Sequence, residues 1–500
     1  MNFRKMKKIN WISAGVLSVS ALVFSGCEKY LDINPLYTQD AENFFQTPVD
    51  YERALTGAYD LMQGSFVSLW IGEIASDNAI AGGESVTDTE GLHEIEGMSH
   101  DAVNRELRSV FQWNYSGIAR ANYLLENKDK IDFAGKTQII AQARFLRAYY
   151  YSELVKFFGD VPLIVDKRLG ADEVRQTERT PKAEVYAQIE DDLRFAAENL
   201  DWVAAEKGRI TKGVALSLLG KVRLYQDKFD AAATAFQEVI DQGQYALIND
   251  YTKLFSVSNE GHSETIFDIE YSGAEGGSYG CLICLEGNAA PGYQGIRQYN
   301  GPVYGDGNSY NLPTKDLYDF FDANDPRRDA SVLDIEAFIA KQSNPGDIEY
   351  AKGGGGHTGY YNNKYIKRQG EIGLPDNDLT SPVNYRVIRY ADVLLMAAEC
   401  YARAASTDEG KAIQYLNLVR QRAGMPSLNS SGQQLIEDIW KERRLELSGE
   451  GWRFFDLVRT GQAETEIDGF VKNKHELFPI PQVEIDLAGG NWTQNPGYLN

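Results

Sequence analysis

Between residues 212 and 245 the chain carries a spacing suited to two closely packed helices. Leu219-Gly220 falls on the first, Phe229-Asp230 marks the turn, and Ala232 and Phe236 fall on the second. Small residues at facing positions let two backbones approach, and the aromatic ring fills the space beside them. A looser copy lies at 391–420, where Leu394, Leu395, Ala398 and Tyr401 precede Ala412, Leu416 and Val419. One such pair cannot bury its apolar face alone, so the pattern demands neighbouring helices.

The rest of the chain supplies them. Helical periodicity begins near Pro48, which suits a first turn, and continues through Tyr51, Ala54, Leu55, Ala58, Tyr59 and Met62. Apolar stripes predict helices over 105–127, with Trp113 in the core, and over 137–158, ending at Gly159. Thr180-Pro181 reads as an N-cap followed by proline at the first helical position. Ser430 with Gln433 reads as a capping box opening a helix over 431–447. The expected fold is therefore mainly α, a tetratricopeptide-like helical-repeat scaffold whose pairs are scattered along the chain.

Residues 259–380 break the pattern and form a loop-rich lobe with a few short strands. Residues 266–271 alternate like a strand. Between Tyr271 and Tyr310 there are ten glycines and six tyrosines but only one basic residue, Arg297. Long loops in compact proteins are commonly functional, and six tyrosines argue against disorder. The other long loop, 76–104, contains Gly82-Gly83-Glu84, Asp88 and His93 and has neither Trp nor Tyr.

The first 26 residues read as a signal peptide. Arg4, Lys5, Lys7 and Lys8 precede an apolar run from Ile9 to Phe24, closed by Ser25-Gly26-Cys27. The run is short for a spanning helix and ends in small residues before a cysteine, as in a bacterial lipobox. Cleavage before an acylated Cys27 would leave a body tethered by lipid. Cleavage also removes four positive charges from a chain whose net charge is already −22. That acidity makes nucleic acid a poor partner and disfavours strongly anionic polymers.

No motif marks a catalytic or metal centre. Cys281 and Cys284 have half-site spacing, but no second pair or nearby histidine completes a tetrahedral set, so a local disulfide or two packed thiols is the expectation. Cys400 lies on an apolar helix and reads as core. Asp306-Gly307-Asn308 lacks the remaining ligands of a calcium loop. The Gly353–Gly356 run lacks the Lys-Ser/Thr of a phosphate loop, and His357 beside it reads as a loop side chain. His93, His100, His262 and His475 form no metal-spaced pair, and no cofactor is expected. Arg443, Arg444, Glu446, Glu450 and Arg453 alternate in sign around one helix end, which reads as a structural ion-pair network.

The whole pattern resembles one family. Cys27 followed by Tyr30-Leu31-Asp32-Ile33-Asn34-Pro35 is similar to the start of SusD/RagB-type lipoproteins of Bacteroidetes. So are residues 144–151 with Phe158-Gly159-Asp160-Val161-Pro162-Leu163, residues 389–399, and Glu442-Arg443-Arg444-Leu445-Glu446-Leu447. Residues 450–457, Phe478-Pro479-Ile480-Pro481 and Gln494-Asn495-Pro496-Gly497-Tyr498 complete the series in family order. The resemblance implies a signal peptide (1–26), a SusD-like N-terminal region with helical repeats (27–258), and a RagB/SusD C-terminal region. That last region, 259–500, comprises the lobe at 259–380, helices at 381–460 and a tail. It also implies a surface-exposed outer-membrane lipoprotein, lipid-anchored through Cys27, that captures a polysaccharide or oligosaccharide. The protein would act as the lid of a SusC-type TonB-dependent transporter.

Tyrosine faces match the apolar C–H faces of sugars, and acidic side chains fix hydroxyls. Tyr279, Tyr293, Tyr299 and Tyr304 are the expected stacking residues, with Asp88 and Glu84 on hydroxyls. Two other readings stay open: peptide binding in the RagB manner, and a glycoside hydrolase, which would need a carboxylate pair that nothing in the sequence marks.

Overall fold

A computed structural model describes residues 44–165, 167–273, 286–371 and 380–499. The chain divides into Met1–Gln46 and Thr47–Asn500, and the architecture that follows belongs to the second unit. Helix α1 (Pro48–Asp60) opens as the proline predicted, with the Thr47 N–H and hydroxyl both donating to Asp50 Oδ2 at 2.8 Å. Helix α2 (Phe66–Ile74) is buried along its whole length. Helix α3 (Glu90–Glu96) lies in the long loop. Then come α4 (Arg105–Leu125), α5 (Lys136–Phe158), α6 (Lys182–Asn199), α7 (Lys212–Leu224) and α8 (Phe229–Asp241). After the lobe follow α9 (Tyr390–Arg403), α10 (Glu409–Arg422), α11 (Gly432–Leu447) and α12 (Arg453–Arg459).

From α4 to α10 each helix packs on the next, and α11 packs on α9 and α10. Helix α9 docks on α8 although the whole lobe separates them in sequence. Pairs scattered along the chain thus form one continuous helical layer. The close approach read from Gly220 is real: a Cβ there would sit 2.5 Å from the Phe236 ring. Gly117 is crowded in the same way by the Tyr150 ring. Trp113 and Cys400 lie in the core.

Two predicted helix starts are corrected. Pro181 is itself the N-cap of α6, because Thr180 is held in a bridge to Val161 and its hydroxyl accepts from Leu163 N at 3.2 Å. Ser431, not Ser430, caps α11, without a side-chain cap bond, and the Ser430 hydroxyl is buried without a partner.

The lobe's strands pair two by two among the described residues. Strand β1 (Ala79–Ala81) runs antiparallel to β5 (Asn311–Pro313), in register Ala79↔Pro313. The predicted strand is β2 (Thr265–Ile269), paired with β8 (Tyr385–Arg389) through an irregular register. Between them, β3 (Ile296–Arg297) pairs with β4 (Asp306–Gly307), and β6 (Val332–Asp334) with β7 (Tyr360–Asn362).

The charged helix end is an interior clasp. Glu446 meets Arg389 at 3.0 Å, Arg327 at 3.1 Å, and Arg422. Burial alone would raise its carboxyl, but Arg422, Arg389 and Arg327 overcome this and hold it well below the usual carboxylate range. Glu450 meets Lys364 and Arg389, each at 2.7 Å. Arg443 reaches Asp392 at 2.7 Å and Asp456 at 3.1 Å. Arg327 and Lys364 belong to the lobe, so the clasp fastens the lobe to the helical layer. Its carboxylates are spent on arginine and lysine partners, which suits a structural role and not acid–base work.

Candidate functional site

Three loops converge at one face of the lobe. The first is 82–90, beyond β1; the second is 297–310, around β4; the third is 350–357. Asp77 fixes the base of the first. It takes Arg453 in a two-pronged pair at 2.7 and 2.9 Å and Arg444 at 2.8 Å. Bidentate guanidinium–carboxylate pairs fix orientation as well as position. Gly82 and Gly83 then donate to the carbonyls of Tyr310 and Ser309 at 3.3 and 3.0 Å, tying the first loop to the second.

The third loop explains the Gly353–Gly356 run. Side chains on Gly354, Gly355 or Gly356 would overlap the carbonyl oxygens of Gly83, Gly82 and Ala81 respectively. Gly355 N donates to Gly83 O at 3.1 Å, and the Arg297 guanidinium reaches Gly353 O. Gly354, Gly355 and Gly356 form a strip of backbone laid flat against the first loop, possible only without Cβ atoms. His93 Nε2 lies 2.9 Å from Gly82 O and braces the junction from below.

Several side chains stand on this face. Asp88 and Glu84 are exposed, and Asp88 Oδ2 accepts from Glu84 N at 3.1 Å. Tyr310 is half-buried beside Gly83, with Tyr293 behind it at 5.4 Å between ring centroids. Tyr350 is half-buried and lies 5.8 Å from the exposed His357 ring. Its hydroxyl donates to Glu336 at 2.6 Å. Burial, then that bond to Glu336, pushes the Tyr350 phenol well above its ordinary value, so it stays a neutral donor. The face offers aromatic surfaces flanked by Asp88, Glu84, Arg297 and Lys352, an arrangement that can stack a ring and fix its hydroxyls.

Three of the predicted tyrosines are enclosed behind this face. Tyr293, Tyr299 and Tyr304 are only 6, 7 and 6 % exposed. Tyr293 packs against Trp70 at 5.0 Å. Tyr299 and Tyr304 form the lobe's core with Ile296, Leu312, Leu333, Ile335, Tyr361 and Ile366. Tyr299 donates its hydroxyl to Pro302 O at 2.8 Å. The lobe has few aliphatic residues, and these tyrosine rings fill its interior. Tyr279, the Cys281–Cys284 pair and Cys27 lie outside the described residues. The sequence reading did not single out Tyr310 or Tyr350, and it read His357 as a loop side chain. The glycine run was their signal, since it forces the loops carrying them together.

Among the described residues no group of three or more His, Cys, Asp or Glu could hold a metal ion. No helix there is long and apolar enough to cross a membrane.

Comparison with known proteins converges on one group. Residues 29–224 match the family described as starch-binding, associating with outer membrane. A SusD-like protein (P2) from Formosa agariphila is 30% identical, over 96% of this chain and 98% of its own. The solved structure of a laminarin-binding SusD-like protein is 34% identical, with a TM-score of 0.82, covering 91% of this chain and 100% of that one. Surface glycan-binding protein A from Bacteroides thetaiotaomicron, solved in complex with laminarihexaose, is 28% identical with a TM-score of 0.81, over 90% of this chain and 99% of that one. Residues 243–498 match the SusD family itself, and with the helical layer, the lobe and the relatives in agreement, this chain belongs to that family.

Proposed function

We propose that this protein is a non-catalytic, surface-exposed glycan-binding lipoprotein of the outer membrane, held by an acylated Cys27. It captures a laminarin-type glycan on the face built by loops 82–90, 297–310 and 350–357. It then delivers the glycan to a SusC-type TonB-dependent transporter, which it covers as a lid. The observation that carries this reading is the likeness to a laminarin-binding protein along nine-tenths of the chain. The loop face supports it: half-buried tyrosines beside carboxylates on a braced backbone match the apolar faces and polar rims of sugars. The chain's net charge of −22 favours an uncharged glycan over an anionic one.

Calorimetric titration of the body from residue 28 onward with laminarihexaose tests the reading, with maltohexaose in parallel. Saturable binding of laminarihexaose is expected, with no release of reducing ends on long incubation. Binding of maltohexaose alone would refute the laminarin assignment, and release of reducing ends would refute the non-catalytic role.

A further inference from the structure

A cavity of about 370 Å³ lies between α1, the turn at 207–209 and strand β2. None of the loop-face residues lines it. Its inner wall carries Asp268, only 6 % exposed, opposite Arg386 on β8. Neither carboxylate oxygen of Asp268 accepts a hydrogen bond. Arg386 Nη1 lies 3.4 Å from Oδ2 but donates to Asn384 O at 2.8 Å, and Nη2 donates to Leu254 O at 3.1 Å. The side-chain oxygen of Gln63, on the segment after α1 that also lines the cavity, is likewise buried without a partner. An unsatisfied buried acceptor carries a desolvation penalty that a donor from a ligand would relieve.

The wall's own cations are already engaged. Lys207 meets Glu270 at 2.9 Å, and Arg209 meets Glu206 at 3.2 Å and Glu52 at 3.3 Å. Glu286 adds a further carboxylate at the half-buried rim. What the cavity presents to a ligand is therefore acceptors and negative charge. A neutral hydroxyl both donates and accepts, whereas a protonated amine only donates and also supplies positive charge. Charge-assisted hydrogen bonds are roughly twice as strong as neutral ones. Burial, opposed by Arg386, lifts the Asp268 carboxyl to about 6, as expected for an acid waiting on a better cationic partner.

We propose that this cavity is a second binding site, distinct from the loop face, for a protonated amine carried by a molecule of hexosamine size, with Asp268 accepting from the ammonium. Pockets of 300–1,000 Å³ are the usual scale for small ligands, which admits one sugar ring here.

The body from residue 28 onward is titrated near neutral pH with glucosamine, glucose and 1,5-diaminopentane, by saturation-transfer NMR and calorimetry. Glucosamine should saturate the site, and glucose should bind about tenfold more weakly, the worth of a charged hydrogen bond. Asp268→Asn should weaken glucosamine about tenfold while laminarihexaose affinity stays unchanged. Glu286→Gln, at the rim, should weaken it about threefold and keeps the test open should Asp268→Asn not fold. Equal affinity for glucose and glucosamine, or unchanged glucosamine affinity in Glu286→Gln and in a folded Asp268→Asn, would overturn the proposal. Binding of the diamine without glucosamine would overturn the hexosamine as carrier. Failure of laminarihexaose to bind would bear on the loop face alone.

Discussion

Replacing His100 with phenylalanine should make the fold more resistant to mild acid. His100 is 2 % exposed, and its Nε2 lies 2.9 Å from the Tyr498 hydroxyl. Its ring sits 5.5 Å from that of His475 and 5.0 Å from that of Phe478. Burial, with the charges of His475 and Lys474 added, depresses its pKa to about 3. In the unfolded chain it titrates at its ordinary value of 6.5. Between those two pH values the unfolded chain takes up a proton that the folded chain refuses. Stability is thus fully present above pH 6.5 and is lost as pH falls towards 3. At about 1.4 kcal/mol per pH unit, roughly 2 kcal/mol is gone by pH 5. His100→Phe removes the proton site and keeps a packed ring, and the Tyr498 hydroxyl keeps its bond to Leu477 O at 3.2 Å. Urea unfolding followed by circular dichroism at pH 7.5 and 5.0 measures the effect. The wild type should lose about 2 kcal/mol more between the two conditions than the variant, since the carboxylates common to both cancel. Equal losses would refute the burial argument.

Further outcomes follow from the packing. Glu446→Gln should cost about 3–5 kcal/mol in urea unfolding, because it leaves Arg327, Arg389 and Arg422 around an uncharged partner, whereas exposed Glu437→Gln should be nearly neutral. Gly220→Ala should lower stability by about 1–3 kcal/mol, read as a lower Tm, since the new methyl meets Phe236. Tyr310→Ala should weaken laminarihexaose binding about 5- to 10-fold in calorimetry without lowering Tm, while Tyr304→Ala should instead cost about 3–5 kcal/mol of stability. Cys27→Ala should release the folded body from membranes in cells lacking the transporter; retention through a salt wash would count against lipid as the sole anchor.

The helical layer was legible because its period survives in the sequence. Residues such as Val110, Phe111, Ile118 and Leu125 must share one side of α4, and that constraint writes a 3.6-residue repeat. Helix ends were less legible where a non-local contact competes. Thr180 could cap a helix, but its bridge to Val161 takes its backbone first. The clasp was half legible: the alternating signs at 443–453 could be read, while Asp77, Arg327 and Arg389 lie tens to hundreds of residues away and carry no local mark.

The lobe misleads because tyrosine serves two purposes with one residue type. A segment with ten glycines has few aliphatic side chains to spend on a core. Tyr299 and Tyr304 therefore bury their rings and satisfy their hydroxyls locally, at Pro302 O and at 3.4 Å from Asn363. Nothing in their immediate neighbourhood distinguishes them from Tyr310, which stays half-buried at the rim. What distinguishes Tyr310 is its place next to β5, whose partner β1 leads directly into Gly82-Gly83. The glycines at 353–356 complete that junction from the far side. Glycine spacing therefore marks where backbones cross, and Tyr310, the last ring of the tyrosine-rich segment, stays half-buried at that crossing while Tyr299 and Tyr304 are enclosed.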